Sequence, residues 1–319
     1  SYCKMTDNCA LALKIDVDTL KGYREGLPRL LDMLKRRGIR ASIFFSMGPD
    51  NSGKAVRRIF RRGFLSKMLR TRAPSTYGLK TLLYGTLLPA PMIVESDPGL
   101  LRRAVDEGHD CGVHAWDHVF WQDRLPSLSR EAVREQFARS MELFERVSGT
   151  APACCAAPGW QTTPDALAVQ DELGFAYCSD VRGTGPSLPR VFLPRMGGTT
   201  FRTPQIPSTL PTLDELWGTD GLDADTVNDR YLDLLEPGVN VHTIHTEMEG
   251  GAMCGVFEAL LDACLEGEMA FVTLREVLVE AEAAATADGG AAPLPVSEVV
   301  MREIPGRAGT VAVQQAAEG

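Results

Sequence analysis

The chain has no Cys-x-x-Cys pair among its eight cysteines, no run of 18 apolar residues, and only five histidines in 319 residues. The first absence excludes the familiar thiolate zinc cages, since the cysteines match no such spacing. The second excludes a membrane-spanning helix. No internal repeat is present, and a composition of 44% hydrophobic and 24% charged residues excludes a collagen, a coiled coil or a largely disordered chain. Excess positive charge is also missing. The formal net charge is -9, so no nucleic-acid partner is expected. The segment from Ser1 to Cys9 is polar and carries no apolar stretch of the kind a secretion signal needs. A cytosolic chain with reduced thiols is therefore the expectation.

What is present is an alternation of strand and helix patterns. Leu11 to Val17 reads as a buried strand, and Asp16 and Asp18 stand at its end. Leu27, Leu30, Leu31 and Leu34 fall at helical spacing, with Pro28 in the first turn and Gly38 as the stop. Ile39 to Ser46 is a second strand. Further strands are expected at Asp110 to His114, near Cys154, near Ala176, at Val239 to Ile244 and near Ala270, with helices between them. This order implies a parallel sheet covered by helices, and the strand number suits a barrel better than an open sheet. In either case the chemistry belongs at the carboxyl ends of the strands. From about Ala285 the chain turns to Ala, Gly, Pro, Val and Gln without periodicity, and a disordered tail over 285–319 is expected. Residues 1–284 are then one domain.

One stretch differs from the rest. Residues 51–94 hold nine Lys and Arg and no acid, leaving -18 for the remainder. Arg57, Arg58, Arg61 and Arg62 are interleaved with Ile59, Phe60 and Phe64, a composition suited to a helix or loop lying on an anionic lipid surface. A solvated basic helix with one buried apolar side has the same composition.

The chemistry-bearing residues cluster near strand ends. His114-Ala115-Trp116-Asp117-His118 is an HxxxH pair that would put both imidazoles on one face if helical. Asp16-Val17-Asp18 places two carboxylates at the end of an apolar strand, where they are costly unless paired or bound to a metal. One carboxylate and two His make a facial triad for a divalent metal, and the second carboxylate is then free to take a proton from water. In Val241-His242-Thr243-Ile244-His245, alternation puts the two His on opposite faces, and His245 at the strand end is favoured for the site.

Together these segments resemble the polysaccharide deacetylase (NodB-type) superfamily. The longer stretches Phe44 to Asn51, Gln205 to Thr212 and Thr243 to Gly250 look like its branch of deformylases that act on undecaprenyl-phosphate-linked formamido-arabinose in lipid A modification. The resemblance implies an irregular β/α barrel holding zinc, manganese or cobalt on Asp18, His114 and His118. It implies Asp16 as general base, His245 as general acid, and a site of action at the cytoplasmic face of the bacterial inner membrane. The third motif departs from the superfamily, because Ala156-Ala157-Pro158-Gly159-Trp160 has no Arg. Arg182 is the replacement expected to orient the base, and Trp160 and Arg182 are candidate substrate contacts. Alternative readings are a polysaccharide or peptidoglycan N-deacetylase, an allantoinase-like amidohydrolase, and a non-catalytic membrane-binding barrel.

Overall fold

The computed structural model describes residues 9–59, 78–183, 185–287 and 293–317, with the side chains of 56–59 left out. Cys3 and the insertion residues from Arg57 to Arg72 lie outside the described side chains.

Strand β1 (Cys9–Val17) is central, and its pleat sorts the molecule into two cores. Leu11, Leu13, Ile15 and Val17 point outward to the helices. There they meet Leu30, Leu31 and Leu34 of α1 (Leu27–Arg37), Leu101 of α3 (Pro98–Asp106) and Phe137 and Phe144 of α5 (Arg130–Ser148). Ala12, on the alternate face, lies in an inner core with Phe44, Ala156, Tyr177, Ile206 and Val241. Helix α1 starts and stops as its sequence directs: Pro28 sits in the first turn, and Gly38 closes it at φ 64°, donating to the Leu34 and Lys35 carbonyls. The remaining helices are α2 (Ser52–Ile59), α4 (His118–Arg124), α6 (Pro164–Leu173), the short α7 (Leu213–Leu216), α8 (Val227–Leu234), α9 (Cys254–Glu266) and α10 (Leu274–Thr286), the last packing into the inner core through Leu274, Val277 and Leu278.

The main sheet runs in the order β5 (Tyr177–Cys178), β4 (Cys154–Cys155), β3 (Asp110–Val113), β2 (Ser42–Phe45), β1, β8 (Gly238–His245), with β9 (Ala270–Val272) also on β1. All of these pairings are parallel. An extended segment joins the two edges. The Cys178 N–H donates to the Pro204 carbonyl and the Ile206 N–H to the Cys178 carbonyl, while Thr209 and Leu210 N–H both donate to the Val241 carbonyl of β8. The sheet therefore curls into an irregular barrel, as the strand number implied.

The expected disordered tail is corrected. Residues 296–316 form β10 (Val296–Glu303) and β11 (Thr310–Ala316), an antiparallel hairpin. With β6 (Leu193–Met196) and β7 (Thr199–Thr200) it builds a second, four-stranded sheet. The hairpin is tied to the barrel at Arg182, whose N–H donates to the Ala312 carbonyl and whose carbonyl accepts from the Gln314 N–H. Val311 and Val313 pack on Trp160. The alternation that does this is only a few residues long and made of small side chains, so the Ala- and Gly-rich composition concealed it.

Val313 is fully buried in this contact. Its replacement by Ala is expected to cost about 2 kcal/mol, read as a lowered urea midpoint. An unchanged midpoint would show that the hairpin does not support the barrel.

Candidate metal centre

The topology places the site residues on neighbouring strands. Asp16 lies next to the end of β1 and Asp18 just beyond it, His245 ends β8, and His114 follows β3. Asp16 is the direct register partner of His245. The HxxxH segment is not one helical turn, as it would be if it were helical. His114 leaves β3 with its N–H donating to the Phe45 carbonyl, and only His118 lies in a helix, as the first residue of α4. The turn between them runs beside β2, with Met47 N–H donating to Ala115 O and Gly48 N–H to Trp116 O. That path forces Ala115 to φ 112°, a strained angle for a residue with a Cβ. Asp117 caps α4 by accepting from the Phe120 N–H, and it also accepts from the Asn51 side chain at 2.7 Å, which fixes the helix start carrying His118.

Asp18, His114 and His118 converge with ligand atoms all within 4.8 Å of one another. His114 Nε2 lies 3.2 Å and His118 Nε2 3.5 Å from Asp18 Oδ1. His114 Nδ1 is 2.8 Å from the Ala156 carbonyl, which can only accept, so Nδ1 carries the proton in a neutral ring and the Nε2 lone pair faces the carboxylate. Burial pushes His118 down to about 4, which keeps that ring neutral. Burial pulls His114 down as well, but the charges of Asp16 and Asp18 outweigh it and raise that ring. Burial alone would raise the Asp18 carboxyl, but the imidazoles of His118, His114 and His245 hold it well below the usual range. Asp18 Oδ1 is buried and accepts no hydrogen bond. Two imidazole lone pairs around an ionised oxygen form a donor set that fits a divalent cation.

Two groups flank this triad. Asp16 is buried, with Oδ2 3.8 Å from His114 Nε2 and Oδ1 free of any donor. His245 Nε2 is 3.9 Å from Asp18 Oδ2. Burial pulls His245 down, but the charges of Asp18, Asp16, Asp214 and Glu249 outweigh it and carry the ring up to about 8. Glu247 and Glu249 stand behind the site, both pushed up to about 7 by burial. Glu247 Oε1 accepts from the N–H groups of Asp18 and Thr19, and Glu249 Oε2 from the N–H of His245.

The other two histidines stay outside. His109 Nδ1 accepts from the Ala41 N–H, and His242 is buried against Tyr231 with ring centroids 4.5 Å apart. Arg182 does not orient Asp16, which corrects the expectation. Its guanidinium is held by Glu215 at 2.6 and 3.1 Å and stacks on Trp160 at 4.6 Å. The cation beside Asp16 is Lys14, with Nζ 3.6 Å from Oδ2. Sequence reasoning passed over Lys14, although a lone charge within an apolar strand, two residues before Asp16, is a visible signal. One other group among the described residues has ligating atoms this close: Cys155, Cys178 and Asp180. Burial raises both thiols and so keeps them protonated, while the amides of Gln170 and Gln205 donate to Asp180 at 2.7 and 2.9 Å. That group is a packed hydrogen-bonded cluster.

Comparison with known proteins adds to this geometry. The polysaccharide deacetylase family profile matches residues 11–178. The chain is 38% identical over 305 residues to a Shewanella sediminis protein named as a 4-deoxy-4-formamido-L-arabinose-phosphoundecaprenol deformylase, ArnD, covering 95% of this chain and 94% of that one. A Wigglesworthia glossinidia brevipalpis protein of the same name is 30% identical, over 92% and 98% of the two chains. Among solved structures, a Mycobacterium smegmatis chain assigned as a polysaccharide deacetylase superposes with a TM-score of 0.56 at 15% identity, covering 88% and 92%. The Bc1960 peptidoglycan N-acetylglucosamine deacetylase superposes at 0.51 with 18% identity, covering 86% and 89%. These structural likenesses establish the shared fold.

The metal-free protein is expected to lose stability as pH rises above 6.5. His245 is raised from 6.5 to about 8 in the fold, so its contribution is complete below 6.5 and lost as pH climbs through 8. Glu247 and Glu249, raised from 4.5 to about 7, act in the same direction between those values. Below 6.5 the buried His118 and His242, lowered to about 4 and about 3, act in the opposite direction, so urea midpoints at pH 6.5 and 8.5 would read the fall, of which roughly 1.5 kcal/mol belongs to His245 and disappears in His245→Ala. A flat profile in the metal-free wild type would contradict this electrostatic picture.

Proposed function

Because the chain belongs to the polysaccharide deacetylase family, we propose that it is a metal-dependent deformylase of undecaprenyl-phosphate-linked 4-deoxy-4-formamido-L-arabinose. One observation carries the reaction type: Asp18, His114 and His118 converge beside a second carboxylate with a donor-free oxygen and an imidazole that is protonated at neutral pH. The substrate reading is supported by likeness to the Shewanella protein over nearly the full length of both chains.

Asp18, His114 and His118 hold the cation, and two imidazoles with one carboxylate accept zinc, manganese or cobalt. A divalent cation there polarises an amide carbonyl and acidifies a water molecule. Asp16 accepts the proton of the attacking water. The water oxygen bonds to the formyl carbon, the C–N bond breaks, and His245 gives its proton to the departing nitrogen. The products are formate and the free amine. These roles are supported by position: Asp16 and His245 are register partners on β1 and β8, and His245 Nε2 lies 3.9 Å from Asp18 Oδ2.

A lipid-linked substrate requires contact with a membrane surface. No helix among the described residues is long and apolar enough to cross a membrane. At the edge of the basic insertion, however, Leu79 and Leu87 stand 73% and 81% exposed. Large apolar side chains beside a basic stretch suit peripheral attachment to the anionic cytoplasmic face of the inner membrane.

Purified protein is expected to release formate from the lipid-linked formamido sugar, little acetate from its acetamido counterpart, and neither after chelation. Asp16→Asn and His245→Ala should each lower turnover by roughly 10²–10⁴-fold. Preferential acetate release would favour the N-deacetylase reading instead.

A further inference from the structure

Lys14 has no place in the roles assigned so far, yet it is among the most deeply buried side chains in the protein. Its exposure is 0%, and its Nζ makes no hydrogen bond. An ammonium buried without hydrogen bonds costs several kcal/mol unless a counter-charge compensates it. Among the described residues its one ion-pair partner is Asp16 Oδ2, at 3.6 Å. The two lie on the same face of β1, since positions two apart point the same way. Asp180 and His114 also feel the Lys14 charge.

The ammonium of Lys14 lies over two aromatic rings. Nζ sits 5.2 Å from the centre of the Trp160 ring and 6.0 Å from that of Phe44. Trp160 is itself locked, because Nε1 donates to Ser208 Oγ at 3.2 Å and the guanidinium groups of Arg182 and Arg307 stack on its ring at 4.6 and 4.7 Å. The ammonium is therefore a fixed point charge aimed at one oxygen of one carboxylate. Asp16 Oδ1 is buried and accepts from no donor, and Oδ2 lies between Lys14 Nζ at 3.6 Å and His114 Nε2 at 3.8 Å, so Lys14 is the charge that fixes the carboxylate on the side of the metal ligands.

We infer that Lys14 is the positioning residue for Asp16, holding the carboxylate by Oδ2 in the orientation in which it serves as the base. This rests on the reading of Asp16 as the general base. Arg182 and Trp160 then act at one remove, as the wall that fixes the lysine.

The test compares Lys14→Met, which keeps length and loses charge, with Lys14→Arg, which keeps charge. In cobalt-loaded full-length protein, K14M is expected to lower kcat for formate release at least about 100-fold. KM should stay within about threefold, with cobalt content and the cobalt absorption spectrum unchanged. K14R should recover about tenfold or more over K14M, because a charge near Asp16 is restored. In urea unfolding of the metal-free forms, K14M should have a lower midpoint than K14M/D16N, since the single change strands an unpaired buried carboxylate. A K14M turnover within about threefold of wild type overturns the inference. So does a K14R no better than K14M, or a double variant no more stable than K14M. If wild type releases no formate, the deformylase reading fails, and the urea comparison still decides whether Lys14 and Asp16 are paired.

Discussion

An ionised carboxylate set among three imidazoles is the constraint on which the site depends. Asp18 stays charged only because positive partners surround it, and its neighbours are arranged accordingly. His114 is turned by the Ala156 carbonyl, His118 is delivered by a helix start capped at Asp117, and His245 is kept protonated by the acids around it. In a low-dielectric pocket such charges interact strongly, so small displacements carry large energies. The strained Ala115 lies on the one turn that brings both imidazoles to the same oxygen.

Rigidity comes from two sides. The parallel barrel supplies strand ends in register, with Asp16 opposite His245. The carboxy-terminal hairpin supplies the second support, through Val311 and Val313 on Trp160 and Arg307 stacked over it. A segment that looks dispensable by composition thus backs the wall of the site. Close backbone approach contributes as well. A Cβ on Gly26 would come within 2.0 Å of the Thr246 carbonyl, so that glycine lets the start of α1 lie against the segment following His245.

Much of the centre was legible from residue types and spacing. Asp16 and Asp18 were marked as carboxylates at the end of an apolar strand, His114 and His118 by their HxxxH spacing and His245 by its place at a strand end, and all five come together. Within the site one inference failed and one residue was missed, for the same kind of reason. Arg182 lies close to the expected motif in sequence, yet Glu215 lies close to it in space and takes its guanidinium. Lys14 was passed over because a single lysine in a strand carries no motif, and its partner became evident only from the pleat.

The sequence by itself determined the alternation of β1, the caps of α1, and the set of acids and imidazoles gathered at strand ends. These depend on local periodicity and on chemistry that a residue carries wherever it stands. Only the tertiary structure decided which cation faces Asp16, that 204–210 closes the barrel, and that the last strands form a second sheet. Those depend on contacts between segments far apart in the chain, where burial and distance select among partners that look equivalent in the sequence.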